Sequence, residues 1–186
     1  MMKDIAFGNW ILVACSVFYL AWWLITFRPP APKSSVFGTA LLIGAFATGI
    51  MGVYRIIKAI AFSDRETVNI GIPGIAIIIG GIFLYVTLLF ITKSVFNRQV
   101  TSELFIIVGW AILEISTLNF AYSADVMQIS GFIMWSVAIL VIAVICLVCY
   151  IMYYNLPYIK GYIDGCIPLI IVGITMVLMN LSFSVD

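Results

Sequence analysis

Six apolar stretches fill almost the whole chain, each close to the roughly 20 residues a helix needs to cross a bilayer. They cover 8–27, 36–58, 70–92, 100–122, 129–154 and 161–182. The 186 residues are 65% hydrophobic and 9% charged, whereas a soluble domain carries about 25% charged residues. No water-soluble fold hides that much apolar surface, so the solvent is lipid. In lipid each backbone N–H and C=O must be satisfied inside the protein, which favours helices. The expected fold is all-α and polytopic: a single domain over 1–186, built as six transmembrane helices with no room for an extramembrane domain.

The breaks between spans have physical causes. Arg28-Pro29-Pro30-Ala31-Pro32-Lys33 cannot be helical, because three prolines remove donors and fix φ. Ser63-Asp64-Arg65-Glu66 is charged, Asn97-Arg98-Gln99 is polar, and Asn155-Leu156-Pro157 ends the fifth span. Pro73 and Pro168 are placed in the first turns of spans three and six, where a missing N–H costs nothing. Asp164 is read as a carboxylate near the start of span six, favoured there by the helix dipole. The run from Trp10 to Phe27 carries Trp22 and Trp23 in place of a small-x-small cleavage site, so it reads as a retained first span.

Six spans put both termini on one side. Loops one, three and five carry Arg28, Lys33, Lys93, Arg98 and Lys160; the opposite side carries Lys3, Arg55, Lys58 and Arg65. The positive-inside bias then favours both termini outside, in a cell membrane such as a cell inner membrane. Trp22, Trp23, Phe27, Tyr153, Tyr154, Tyr158 and Tyr162 gather at the ends of spans one, five and six, as an interfacial aromatic belt does.

A net charge of +1 argues against a nucleic-acid partner. Histidine is absent, which removes the commonest metal ligand and the usual general base. No Ser-His pair, phosphate-binding glycine loop or paired carboxylate motif occurs. The chain is therefore expected to be no enzyme and to hold no metal or cofactor.

Glu114 is the main exception to the apolar pattern, near the middle of span four. A carboxylate at bilayer depth costs roughly 2.5–3.5 kcal/mol on insertion scales, so it is a functional-site hypothesis by default. Helical spacing puts Ile107, Trp110, Glu114, Thr117 and Ala121 on one face. Ser116 and Asn119 form a second polar pair further around the helix. Span four is thus the polar helix of the bundle. Glu114, Thr117, Asn119 and Trp110 are read as lining a solute or ion path, with Arg55 as a possible ion-pair partner for Glu114. An interhelical polar contact is the competing reading.

Span two carries Ala40, Gly44, Thr48 and Gly52 at every fourth position, with Ala45 and Gly49 beside them. Small residues at this spacing let two helices approach closely in lipid, within a protomer or between the subunits of a homo-oligomer. Cys146 and Cys149 form a Cys-x-x-Cys in span five. Small apolar packing is the first reading of these thiols, and membrane thiol redox chemistry the second.

Three stretches can be overlaid as hairpins: Leu24 to Gly44, Leu89 to Gly109 and Tyr153 to Gly173. Inverted repeats of three spans are the rival scheme. Six short spans, small loops and three hairpins resemble the urea/amide channel family, which includes proton-gated urea channels and amidase-operon channels. The turn Pro32-Lys33-Ser34-Ser35 and the apolar run to Gly44 look like that family's first hairpin. The chain departs from the pattern in span one, where Ala21-Trp22-Trp23 replaces an Asn-Gly pair, and late in span six, where Val172 and its neighbours are apolar. No family residue is carried over as a site.

The functional expectation is a channel or transporter for a small polar solute. The resemblance implies urea or a short amide. The alternatives are an accessory subunit of a larger membrane complex and a thiol redox protein using Cys146 and Cys149.

Overall fold

The structure, a computed structural model, describes residues 2–30, 32–33, 35–61, 71–95 and 102–183. The charged break at 63–66 and the polar break at 97–99 lie outside these residues. Among the described residues every regular element is helical. These are α1 (Met2–Thr26), α2 (Val36–Ala61), α3 (Gly71–Ser94), α4 (Ser102–Ser123), α5 (Ile129–Met152), a 3-10 turn at Tyr153–Asn155, α6 (Tyr158–Asp164) and α7 (Cys166–Phe183). Among the described residues five helical stretches are long and apolar enough to cross a membrane: Lys3–Thr26, Val36–Ala61, Ile106–Ser123, Ile129–Asn155 and Tyr158–Phe183. α3 adds a shorter apolar stretch, Ile79–Ser94. The protein is all-α and polytopic, as its apolar runs require.

The helix ends follow local chemistry. α1 stops before the prolines, and the Lys33 N–H donates back to the Thr26 carbonyl at 2.7 Å, closing the turn. Ser35 then caps α2: its Oγ accepts the Gly38 N–H at 2.9 Å, satisfying a donor the helix cannot reach. At the end of α4, Asp125 adopts φ 56°. The Asp125 N–H donates to Tyr122 and the Val126 N–H to Ala121, which is the paired closure of a Schellman turn. Aspartate tolerates the left-handed region better than most side chains, so the chain turns here without glycine.

The sixth span is not one unbroken helix. Gly165 separates α6 from α7. Pro168 lacks the N–H that would bond the carbonyl four residues back, and its ring crowds that carbonyl. Pro168 thus lies in the first turn of α7, while Asp164 is the last residue of α6 rather than an opening residue of the span.

Packing divides the chain into two compact units, 1–63 with 152–186, and 64–151. Helices α1, α2, α6 and α7 belong to the first, and α3, α4 and α5 fall within the second. Each of the three overlaid stretches, Leu24 to Gly44, Leu89 to Gly109 and Tyr153 to Gly173, falls within one unit, and the units do not follow two sequential halves.

In the first unit α1 packs against both α2 and α7. Its contact with α2 is antiparallel and close. A Cβ on Gly52 would meet Leu12 Cδ2 at 2.7 Å and the Gly8 carbonyl oxygen at 3.1 Å; one on Gly49 would meet Cys15 Sγ at 3.2 Å. The face of α2 that meets α1 therefore includes Gly38, Ala45, Gly49, Gly52 and Ile56, with Gly44 against the Phe18 ring. Ala40 is exposed and off this face. Thr48 is half-buried and returns its hydroxyl to the Gly44 carbonyl of its own helix. On the other side of α1, Trp23 Nε1 donates to the Tyr162 carbonyl at 3.0 Å and Ser16 Oγ to the Leu169 carbonyl at 2.7 Å. Gly165 lets the Trp23 indole lie against the α6–α7 break, where any Cβ would collide with the ring.

In the second unit Leu104, Val108 and Tyr150 form a buried cluster, with Tyr85, Leu88, Ile112 and Leu147 packed on it. Gly81 of α3 faces Ile112 so closely that a Cβ there would overlap it. Tyr122 and Phe132 stack at 5.5 Å, tying the end of α4 to the start of α5. Large apolar side chains such as Phe83, Phe90 and Ile50 project outward in both units, as lipid solvation permits.

Candidate functional site

α4 is the most enclosed of the long apolar helices. Of its membrane-crossing window 44% is buried, against 17–22% in the other four. From Thr117 to Ala121 every residue is buried, so this end of the helix is covered on all sides. A helix so covered can carry polar groups that lipid would reject.

Those polar groups are the ones singled out by sequence. Glu114 is 1% exposed, and both its carboxylate oxygens are buried. It lies about a third of a turn around α4 from the Val108 line that meets α3, at 100° per residue. Trp110, one turn earlier, is half-buried, and its indole N–H is buried with no hydrogen-bond partner among the described residues. Thr117 is fully buried and donates its hydroxyl to the Leu113 carbonyl at 3.0 Å, leaving lone pairs but no proton to offer. Asn119 is 4% exposed, and its Nδ2 is buried with no partner among the described residues. Asn119 lies well around α4 from Glu114, so the polar groups form a band and not a single stripe.

Arg55 belongs to α2, in the other compact unit. Its guanidinium sits over the Phe7 ring, 5.5 Å from the centroid, a cation–π contact inside the α1–α2 pair. Cys146 and Cys149 are both buried in α5.

Some buried polar residues were not signalled by sequence reading. Ser136 of α5 has a buried hydroxyl with no partner among the described residues. The Tyr122–Phe132 stack fixes the antiparallel register of α4 and α5 and brings Ser136 to the level of Asn119. In the first unit Asn9 and Asn180 are both fully buried. Both polar atoms of the Asn9 side chain lack a partner among the described residues. The contacts of Trp23 with Tyr162 and Ser16 with Leu169 place Asn9, seven residues further back, level with the Met176–Asn180 segment of α7. The available signal was the spacing itself: Asn9, Ser16 and Trp23 recur every seven residues along one face.

Buried polar atoms without partners are rare, and each asks for an explanation such as a bound water, a solute or a functional role. Among the described residues no group of three or more His, Cys, Asp and Glu is arranged to hold a metal ion. Comparison with family models, with curated proteins and with solved structures finds no match to this chain.

Proposed function

We propose that this protein passes a small polar solute across a cell membrane, as a channel or transporter, with α4 lining the path. The observation that carries this reading is Glu114: a carboxylate buried mid-helix on the most enclosed span. The Trp110 indole N–H, one turn away, and the Asn119 amide further around the same helix have donors that no described residue satisfies. A solute crossing the membrane must shed water, and donors and acceptors held ready along α4 would replace it. Glu114 supplies acceptors, Trp110 and Asn119 supply donors, and Thr117 supplies a hydroxyl oxygen. Such a set suits a small polar molecule, and urea and short amides, which the resemblance to the urea/amide channels implies, are the first solutes to try. Arg55, held over the Phe7 ring in the other compact unit, is left out of this set.

The reading includes six spans with both termini outside, and a homo-oligomer in the bilayer. A thiol redox role has less to support it, since Cys146 and Cys149 are buried within an apolar helix. The decisive experiment is solute flux into proteoliposomes, with urea, acetamide, ammonium and acetate at two pH values. Wild-type protein should pass at least one of them, and Glu114→Gln should change the rate or its pH dependence. Well-folded protein with no flux for any of the four would remove this reading and favour an accessory role in a larger complex.

A further inference from the structure

Beside the turn between α1 and α2 lies an open cavity of about 460 Å³ lined by Ile25, Arg28, Pro29, Lys33 and Ser35. Among the described residues that line it, Arg28 and Lys33 are cations and none is acidic. The Lys33 N–H bond to the Thr26 carbonyl holds the two ends of the turn together, and the prolines limit its freedom. That bond sets Lys33 beside the end of α1, close in the chain to Arg28. Ser35, the cap of α2, brings the first turn of that helix to the cavity edge, where the helix dipole favours negative charge.

The depth of this cavity in the membrane can be read from its neighbours. Trp22, Trp23 and Phe27 form a ring cluster on the same end of α1, and Tyr153 joins it edge-on to Trp23. Tyr158 donates to the Phe27 carbonyl at 2.8 Å and Tyr162 to the Leu24 carbonyl at 3.1 Å. Rings with one apolar body and one polar tip mark headgroup level. The neighbouring surface is apolar: Ile25 lines the cavity, and Leu24, Val36 and Phe37, next in the chain to lining residues, are exposed. We propose that this cavity binds the phosphate of an anionic phospholipid, with Arg28 and Lys33 on the headgroup and the acyl chains along Ile25, Val36 and Phe37. The exposed apolar rim selects a lipid over free phosphate, because inorganic phosphate has nothing to place against it. The proposal does not depend on solute passage along α4.

The test is native mass spectrometry of the detergent-solubilised protein titrated with phosphatidylglycerol, phosphatidylcholine or inorganic phosphate. Wild-type protein should retain phosphatidylglycerol in preference to phosphatidylcholine. Each cation near an anionic lipid is worth about fivefold in affinity, the equivalent of about 1 kcal/mol, so Arg28→Gln with Lys33→Gln should lose roughly 25-fold. Lys58→Gln is the control, since Lys58 sits over the Tyr54 ring at the other end of α2 and should lose nothing. Retention in the wild type should also weaken with added salt, a readout that needs no variant. Equal binding of both lipids, no loss in the double variant, no salt dependence, or displacement by millimolar inorganic phosphate would each overturn the assignment.

Discussion

Glu114→Gln replaces one carboxylate oxygen with an amide nitrogen and leaves the shape almost unchanged. In a side chain kept only for packing, that change should be silent in function. On the α4 path it should lower flux by about tenfold, the equivalent of roughly 1.4 kcal/mol in the barrier, while the melting midpoint stays within a few degrees. Asn119 allows a sharper separation of the two roles. Its buried Nδ2 has no partner among the described residues, and an unsatisfied buried donor costs about 1–3 kcal/mol. Asn119→Leu removes that cost at similar volume. The variant is expected to be more stable in thermal unfolding and slower in solute flux, because polar groups kept for function tend to lower stability. A variant that gains stability and loses no flux would place Asn119 outside the path. These α4 residues were legible because a charge or amide in an apolar run stands out by composition alone. Asn9 and Asn180 were not, since they lie near span ends, where an amide is unremarkable until packing shows it buried.

At the scale of helices, the small residues of α2 show what a sequence pattern can and cannot fix. Ala40, Gly44, Thr48 and Gly52 repeat strictly every four residues. Each such step turns a helix by 400°, so the row drifts about 40° per step, and Ala40 ends up about 120° away from Gly52. A face that stays on one neighbour alternates steps of three and four, as Ala45, Gly49, Gly52 and Ile56 do. Presence of a small-residue face was readable; its register needed the contact with α1. Gly52→Val should force α1 and α2 apart at the Gly8 carbonyl, costing about 1–3 kcal/mol as overpacking does. Gly80 has nothing within 4 Å of a Cβ, so Gly80→Ala should instead stabilise α3 by roughly 0.5–1 kcal/mol. Equilibrium unfolding in mixed micelles would measure both, and equal effects would contradict the close approach of α1 and α2. The break at Gly165 was hidden for a related reason. Pro168 could be seen to start a helix, but a short helix ahead of it reads as the same apolar run.

For the whole molecule, the apolar runs made the fold class plain, because a lipid solvent leaves few alternatives to a helical bundle. Division into α1–α2–α6–α7 and α3–α4–α5 was not legible, since nearly every span is apolar on all sides and no amphipathic face names its neighbour. Orientation depends on a similarly thin signal. On the six-span reading the nine Lys and Arg residues would divide five to four between the two sides, and the loop bias acts through such counts near the span ends. Two of the four on the terminal side are already engaged: Arg55 lies over Phe7 and Lys58 over Tyr54. A ring contact leaves both charges in place, so Lys3, Arg55, Lys58 and Arg65 still oppose Arg28, Lys33, Lys93, Arg98 and Lys160. Both termini are therefore expected outside, but by a margin that a few charges can reverse. Three lysines inserted after Met2 should produce a mixed or inverted population, while the same insertion with Arg28→Gln and Lys33→Gln should invert almost completely. Reporter tags at each terminus, read by protease access in sealed vesicles, distinguish the cases. Tags of the unmodified chain on opposite faces would contradict six spans. Tags that stay outside after three added lysines would mean that later loops, and not the first, hold the orientation.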